Sequence, residues 1–132
     1  MTDVGLTHVA LEVSDLDSSI AFYQTYAAMQ VVQRRPQVVW LGDKTRPFVI
    51  VLLKVPEVSS LLRPFAHLGV ACSSREEIDR LSAMARDEER LIDGPTDSGP
   101  PVGYWAFLRD PDGHTLEVSY GQEVETTVAG ES

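Results

Sequence analysis

Residues 6–14 read LTHVALEVS and residues 66–74 read AHLGVACSS. Both stretches alternate. In the first, Val9, Leu11 and Val13 share one face while His8, Ala10 and Glu12 share the other; in the second, Leu68, Val70 and Cys72 oppose His67, Gly69 and Ala71. A period of two marks a half-buried strand, because successive side chains of extended backbone point to opposite sides. Each strand opens on a histidine and runs into a helix start: Ser14-Asp15-Leu16-Asp17 and Ser73-Ser74-Arg75-Glu76 both read as capping boxes.

Working outward from the first strand, Leu16, Ile20, Tyr23 and Ala27 recur at helical spacing and predict a helix of about three turns. Three short extended stretches follow over 30–34, 37–41 and 48–54, separated by Pro36 and by the Gly42-Asp43 turn signal. After the second strand, Ile78, Leu81 and Met84 or Ala85 give the buried stripe of another helix, ending near Arg90. Leu91-Ile92 is a short apolar stretch, 93–103 a loop dense in Gly and Pro, and 104–108 a strand. Asp110-Pro111-Asp112-Gly113 makes a turn, its proline fixing φ and its glycine freeing it, and the last strand covers 114–120. Each half therefore reads βαβββ. The fold class is α+β, with module one over about 5–55, module two over about 65–121, and a tail over 122–132 of a single domain spanning 1–132. The repeat lies in pattern more than in identity.

A chain of 132 residues with 43% hydrophobic and 23% charged content is large enough to bury one true core. No apolar run approaches the roughly 20 residues needed to cross a bilayer, and the N-terminus has none of the regions of a secretory signal, so a membrane is not expected and the expected home is cytoplasmic. The single cysteine, Cys72, cannot form an internal disulfide, which agrees with a reducing compartment and excludes a thiolate metal cluster. A net charge of -9 opposes phosphate backbones and excludes nucleic acid as an expected partner.

The chemistry lies on the strand faces turned away from the predicted helices. Each sheet sends its large apolar residues toward a covering helix, which leaves His8 with Ala10, His67 with Gly69 and Ala71, and Thr115, Glu117 and Ser119 on the second faces. The small neighbours leave room for an ion and a ligand. Two imidazoles and one carboxylate bind one side of a divalent transition metal and leave positions open for substrate or water. His8, His67 and Glu117 are thus the candidate metal ligands, for Fe2+, Mn2+, Zn2+ or Ni2+. A lone histidine more often caps a strand or sits in a polar cleft; two equivalent histidines with a facing glutamate weigh against that plainer reading.

Residues 6–121 resemble the vicinal oxygen chelate superfamily of glyoxalases, bleomycin-resistance proteins and extradiol dioxygenases. The cues are THVALEVSDLDSSIAFY, AHLGVACSS and FLRDPDGHTLEVSYG, the last being the most specific because its Asp-Pro-Asp-Gly turn sets the register of the strand bearing Glu117. The resemblance implies paired βαβββ modules whose mixed sheets curl around a metal or ligand cleft. It also implies that His8, His67 and Glu117 match the ligands of the first, fifth and eighth strands. Glyoxalase I relatives usually carry a fourth ligand, a carboxylate on the fourth strand, where this chain reads FVIVLLK. The three-ligand pattern is closer to extradiol dioxygenases and to fosfomycin-modifying thiol transferases. It departs from the transferases at Ala10, where they usually have threonine, and from both groups at Phe107, where they commonly have tyrosine.

Other residues have two readings each. Glu12, on the His8 face, is a candidate general base or extra ligand, or simply a solvated strand end. Tyr104, Trp105 and Phe107 are candidate walls of a substrate pocket, or strand aromatics in a core. His114 reads as a turn residue, and Cys72, with the parity of Leu68 and Val70, as a small core residue. The expected function is a metal-dependent enzyme of dioxygenase, lyase or isomerase type whose ion chelates two adjacent oxygens of a small organic substrate. The alternatives are a metal-free binding protein that sequesters a drug or metabolite and a regulatory or assembly module with a vestigial site. Relatives of this length commonly pair modules across chains, so a homodimer is expected, with His8 open to arriving from either subunit.

Overall fold

The computed structural model describes residues 3–130. They divide into two compact units, one up to Leu61 and one from Leu62 onward. In unit 1, strand β1 (His8–Val13) leads to helix α1 (Leu16–Ala27), then to β2 (Gln30–Arg35), β3 (Val38–Gly42) and β4 (Val49–Lys54). In unit 2, β5 (Leu68–Ala71) leads to α2 (Arg75–Asp87), then to β6 (Leu91–Asp97), β7 (Tyr104–Arg109) and β8 (Thr115–Tyr120), with a short α3 (Val124–Ala129) at the end. Each unit holds one open four-stranded mixed sheet, ordered β1-β4-β3-β2 and β5-β8-β7-β6. In both, the first strand pairs in parallel with the last, and the remaining pairs are antiparallel.

Parity fixes which face each helix covers. In unit 1, Leu11 and Val13 of β1, Val39 and Leu41 of β3, and Ile50 and Leu52 of β4 are buried, as are Ile20, Phe22, Tyr23 and Tyr26 of α1. In unit 2 the buried set is Ala106, Leu108, Leu116 and Val118 of the sheet with Ile78, Leu81 and Ala85 of α2, so Ala85 completes the helix stripe. The histidine-bearing faces lie opposite.

Both helix starts fall one residue later than the boxes read from sequence. Asp15 caps α1 by accepting from the Asp17 N–H, and Ser74 caps α2 by accepting from the Glu77 N–H. The extended φ and ψ of a cap residue suit the last strand-like position, which here is the second residue after β1 and the third after β5. The two caps keep the same sequence offset as His8 and His67.

The largest departure is β6. Residues 93–103 read as a loop because Gly and Pro crowd them, yet Leu91–Asp97 pairs with β7. The strand lies at the sheet edge, where proline need not supply a ladder donor, and it absorbs Gly94-Pro95 in register shifts between Leu91 and Thr96. Gly94 has φ +90°, and a Cβ there would meet the Trp105 carbonyl oxygen at 2.7 Å, so only glycine fits this bulge. The second departure is the stretch read as a tail, which carries α3.

Candidate metal centre

Strand β8 positions Glu117. Asp110 holds the turn before it, with Oδ1 accepting from the N–H groups of Asp112, Gly113 and His114, each at 2.9 Å. His114 is no mere turn residue: it is buried, and its Nδ1 accepts from the Leu62 N–H at 3.1 Å. The Thr115 N–H in turn donates to the Leu62 carbonyl at 2.7 Å. These bonds tie the chain entering unit 2 to the start of β8, and so bring His67 beside Glu117.

His67 precedes the first hydrogen-bonded residue of β5. Its Nδ1 lies 2.7 Å from the Pro64 carbonyl oxygen. A carbonyl only accepts, so Nδ1 carries a proton, and in the neutral ring this leaves the lone pair on Nε2. That Nε2 is 3.8 Å from Glu117 Oε2. The gap is too long for a hydrogen bond, yet one ion about 2.1 Å from each atom would bridge it. Gly69 keeps the gap clear: it pairs with Glu117, and a Cβ on it would stand 3.4 Å from Oε2. The chemistry of the donor set, an imidazole in the ligating tautomer beside a carboxylate, fits a divalent metal.

Phe107 pairs with Glu117 across the β7–β8 ladder and packs its ring 5.0 Å from the His67 ring; Trp105 lies 4.8 Å farther along, its Nε1 donating to Ser98 Oγ at 2.9 Å. By register they share one face of the sheet with Gly69, Ala71 and Ser119. Tyr104, expected beside them, has the opposite parity. Its hydroxyl donates to Asp79 of α2, and the Arg75 guanidinium lies 3.9 Å over its ring while pairing with Asp97 at 2.9 Å. The bond to Asp79 raises the Tyr104 pKa, and the Gly99 N–H followed by Arg75 lowers that of Asp97.

In unit 1, His8 is exposed and its Nδ1 lies 2.9 Å from Thr7 Oγ1. Glu12 is not a solvated strand end: Oε1 accepts from the Ser59 N–H at 2.9 Å, the Ser60 N–H at 3.0 Å and Ser59 Oγ at 3.2 Å, which fastens the segment after β4 to β1. Among the described residues, no group of three or more His, Cys, Asp and Glu side chains gathers as a metal-holding set; His67 and Glu117 are the pair that unit 2 brings together. Sequence reasoning missed Gln122, whose Nε2 donates to Glu117 Oε2 at 3.1 Å. It lies past the last strand, where no periodicity singles it out. No helix of the described residues is long and apolar enough to cross a membrane.

Residues 5–118 match the family model of the Glyoxalase/Bleomycin resistance protein/Dioxygenase superfamily. An uncharacterized protein of Pseudomonas aeruginosa is 41% identical over 124 residues, which are 89% of each chain. The metallothiol transferase FosB of Shouchella clausii is 25% identical over 128 residues, 92% of this chain and 83% of that one. Among solved structures, the trypanothione-dependent glyoxalase I of Leishmania major superposes with a TM-score of 0.68 and 26% identity, over 97% of this chain and 94% of the other.

Proposed function

Because this chain belongs to the Glyoxalase/Bleomycin resistance protein/Dioxygenase superfamily, we propose that it is a metal-dependent enzyme that takes a small organic substrate by two adjacent oxygens. His67 and Glu117 supply two ligands for one divalent ion of the Fe2+, Mn2+, Zn2+ or Ni2+ type, and His8, of this chain or of a second copy, is the expected third. The observation that carries this reading is the His67 Nε2 lone pair, fixed by the Nδ1 bond to Pro64, standing 3.8 Å from Glu117 Oε2 over a glycine floor.

When bound, the ion would act as a Lewis acid toward negative charge developing on the substrate oxygens. The protein's own residues do the rest. Trp105 and Phe107 give the substrate an apolar wall that excludes water from one side of the ligand pair. Gly69 and Ala71 leave its floor open. Glu12, with Oε1 engaged by the 59–60 segment, serves the fold of unit 1 and not proton transfer. With so few protein ligands, an ion held by His67 and Glu117 would have positions left for both substrate oxygens, the requirement shared by isomerisation, addition and oxygen insertion.

The test is metal analysis of the purified full chain and of His67→Ala and Glu117→Ala after equilibration with each ion. Wild type should retain about one ion per chain and each variant less than a tenth of that. Equal retention by all three overturns the proposal, and equally little metal in all three favours a metal-free binding protein lined by Trp105 and Phe107. For the metal-bound protein, oxygen uptake with catechols against isomerisation of a thiol-conjugated aldehyde then selects the reaction. Sedimentation of the same samples tests the expected homodimer.

A further inference from the structure

The segment after β8 reaches back to the candidate ligand Glu117, and nothing in the metal-centre reading requires it. Gln122 Nε2 donates to Glu117 Oε2 at 3.1 Å, and Oε2 is the oxygen that faces His67 Nε2. A second contact fixes where Gln122 stands. Gly103, with φ +83°, lies so close to this segment that a Cβ on it would sit 2.8 Å from the Gly121 carbonyl carbon and 3.1 Å from the Gln122 nitrogen, and would also strike the Tyr120 carbonyl oxygen. The 98–103 loop is itself closed by Ser98 N–H donating to the Gly103 carbonyl at 3.0 Å and by Trp105 Nε1 donating to Ser98 Oγ. The backbone carrying Gln122 is therefore seated on a loop braced by the pocket wall.

We propose that Gln122 is a positioning residue of the metal centre: its side-chain amide occupies one lone pair of Glu117 Oε2 and turns the other toward His67 Nε2. The inference rests on the metal-binding reading given above. The last torsion of a glutamate side chain is broad and roughly two-fold, so an unanchored carboxylate presents either oxygen at a range of angles. A neutral amide donor narrows that range without adding the charge that would compete with a cation. Groups that orient a metal ligand in this way typically change metal affinity by about 10–100-fold when removed.

Co2+ alone is the probe, titrated into the 132-residue chain and followed by its visible absorption, which reports ligand number and geometry. Gln122→Met keeps the length of the side chain and removes the donor; Gln122→Ala removes both. Each should bind Co2+ about 10–100-fold more weakly than wild type, with displaced absorption bands. Glu123→Gln, at the exposed neighbour, should change neither readout. Unchanged affinity and spectrum in Gln122→Met, with wild type binding normally, overturns the positioning role alone. A spectrum that survives both variants while affinity falls equally in Glu123→Gln assigns Gln122 to the fold and overturns it as well. Failure of wild type to bind Co2+ overturns this proposal together with the reading on which it rests.

Discussion

Val51 stands in unit 1 at the register position that Glu117 holds in unit 2. Ala10, two residues after His8, pairs with Val51, which pairs with Trp40; Gly69, two residues after His67, pairs with Glu117, which pairs with Phe107. The doubled fold thus has a place for a carboxylate on its fourth strand and fills it with a buried aliphatic group. This is the register-level reason why FVIVLLK offers no fourth ligand.

Val51→Glu converts that position. Without metal, a carboxylate placed where Val51 is 8% exposed should cost about 1–3 kcal/mol of stability, measured by urea unfolding. A loss under about 0.5 kcal/mol would mean that a side chain at this position reaches water.

Asp110 predicts a purely structural effect. Its buried Oδ1 serves three backbone donors, and the turn so made sets the register of β8. Asp110→Ala strands those donors and should lower stability by about 2–4 kcal/mol, with the thermal midpoint falling by roughly 10 °C. Asp110→Asn keeps an acceptor and should lose less. A loss under about 0.5 kcal/mol in the alanine variant would show that another contact fixes the turn.

These residues also show what the sequence can carry. The βαβββ order, the faces of β1 and β5, and the opposition of Leu116 and Val118 to Glu117 follow from period-two alternation, a local property of neighbouring residues. The edge strand β6 does not, because a bulge built on Gly94 and Pro95 erases the alternation while the ladder to β7 persists. The inward turn of His114 depends on Leu62, and the reach of Gln122 on Gly103; both are contacts between segments distant in sequence. Tyr104 shared a strand with Trp105 and Phe107, and adjacency concealed that odd and even residues face different neighbours.

That parity separates two variants of one strand. Tyr104→Phe removes only the bond to Asp79 on the α2 side, an exposed contact, so stability should change by less than about 1 kcal/mol and Co2+ affinity by less than about twofold. Phe107→Ala removes the ring packed against His67 and should weaken Co2+ binding several-fold while leaving the Nδ1 bond to Pro64 in place. Equal effects of the two on Co2+ titration would show that the His67 ring is held without Phe107.

Cys72 gives a pH-dependent prediction. Burial pushes its thiol above the ordinary value, and the nearby Glu77 carboxylate adds to the rise. A thiol with a raised folded-state pKa stays protonated where the unfolded chain begins to ionise, so its contribution to stability is complete below the unfolded value of about 8.5 and is lost as pH rises beyond it. The thiolate is the reactive form, so disulfide-exchange labelling at pH 8 should run at least about tenfold slower in the folded protein than in urea. Cys72→Ser should flatten the decline of stability between pH 8 and 10 relative to wild type. A folded-state labelling rate equal to that in urea would mean that the half-buried thiol is not shielded from water.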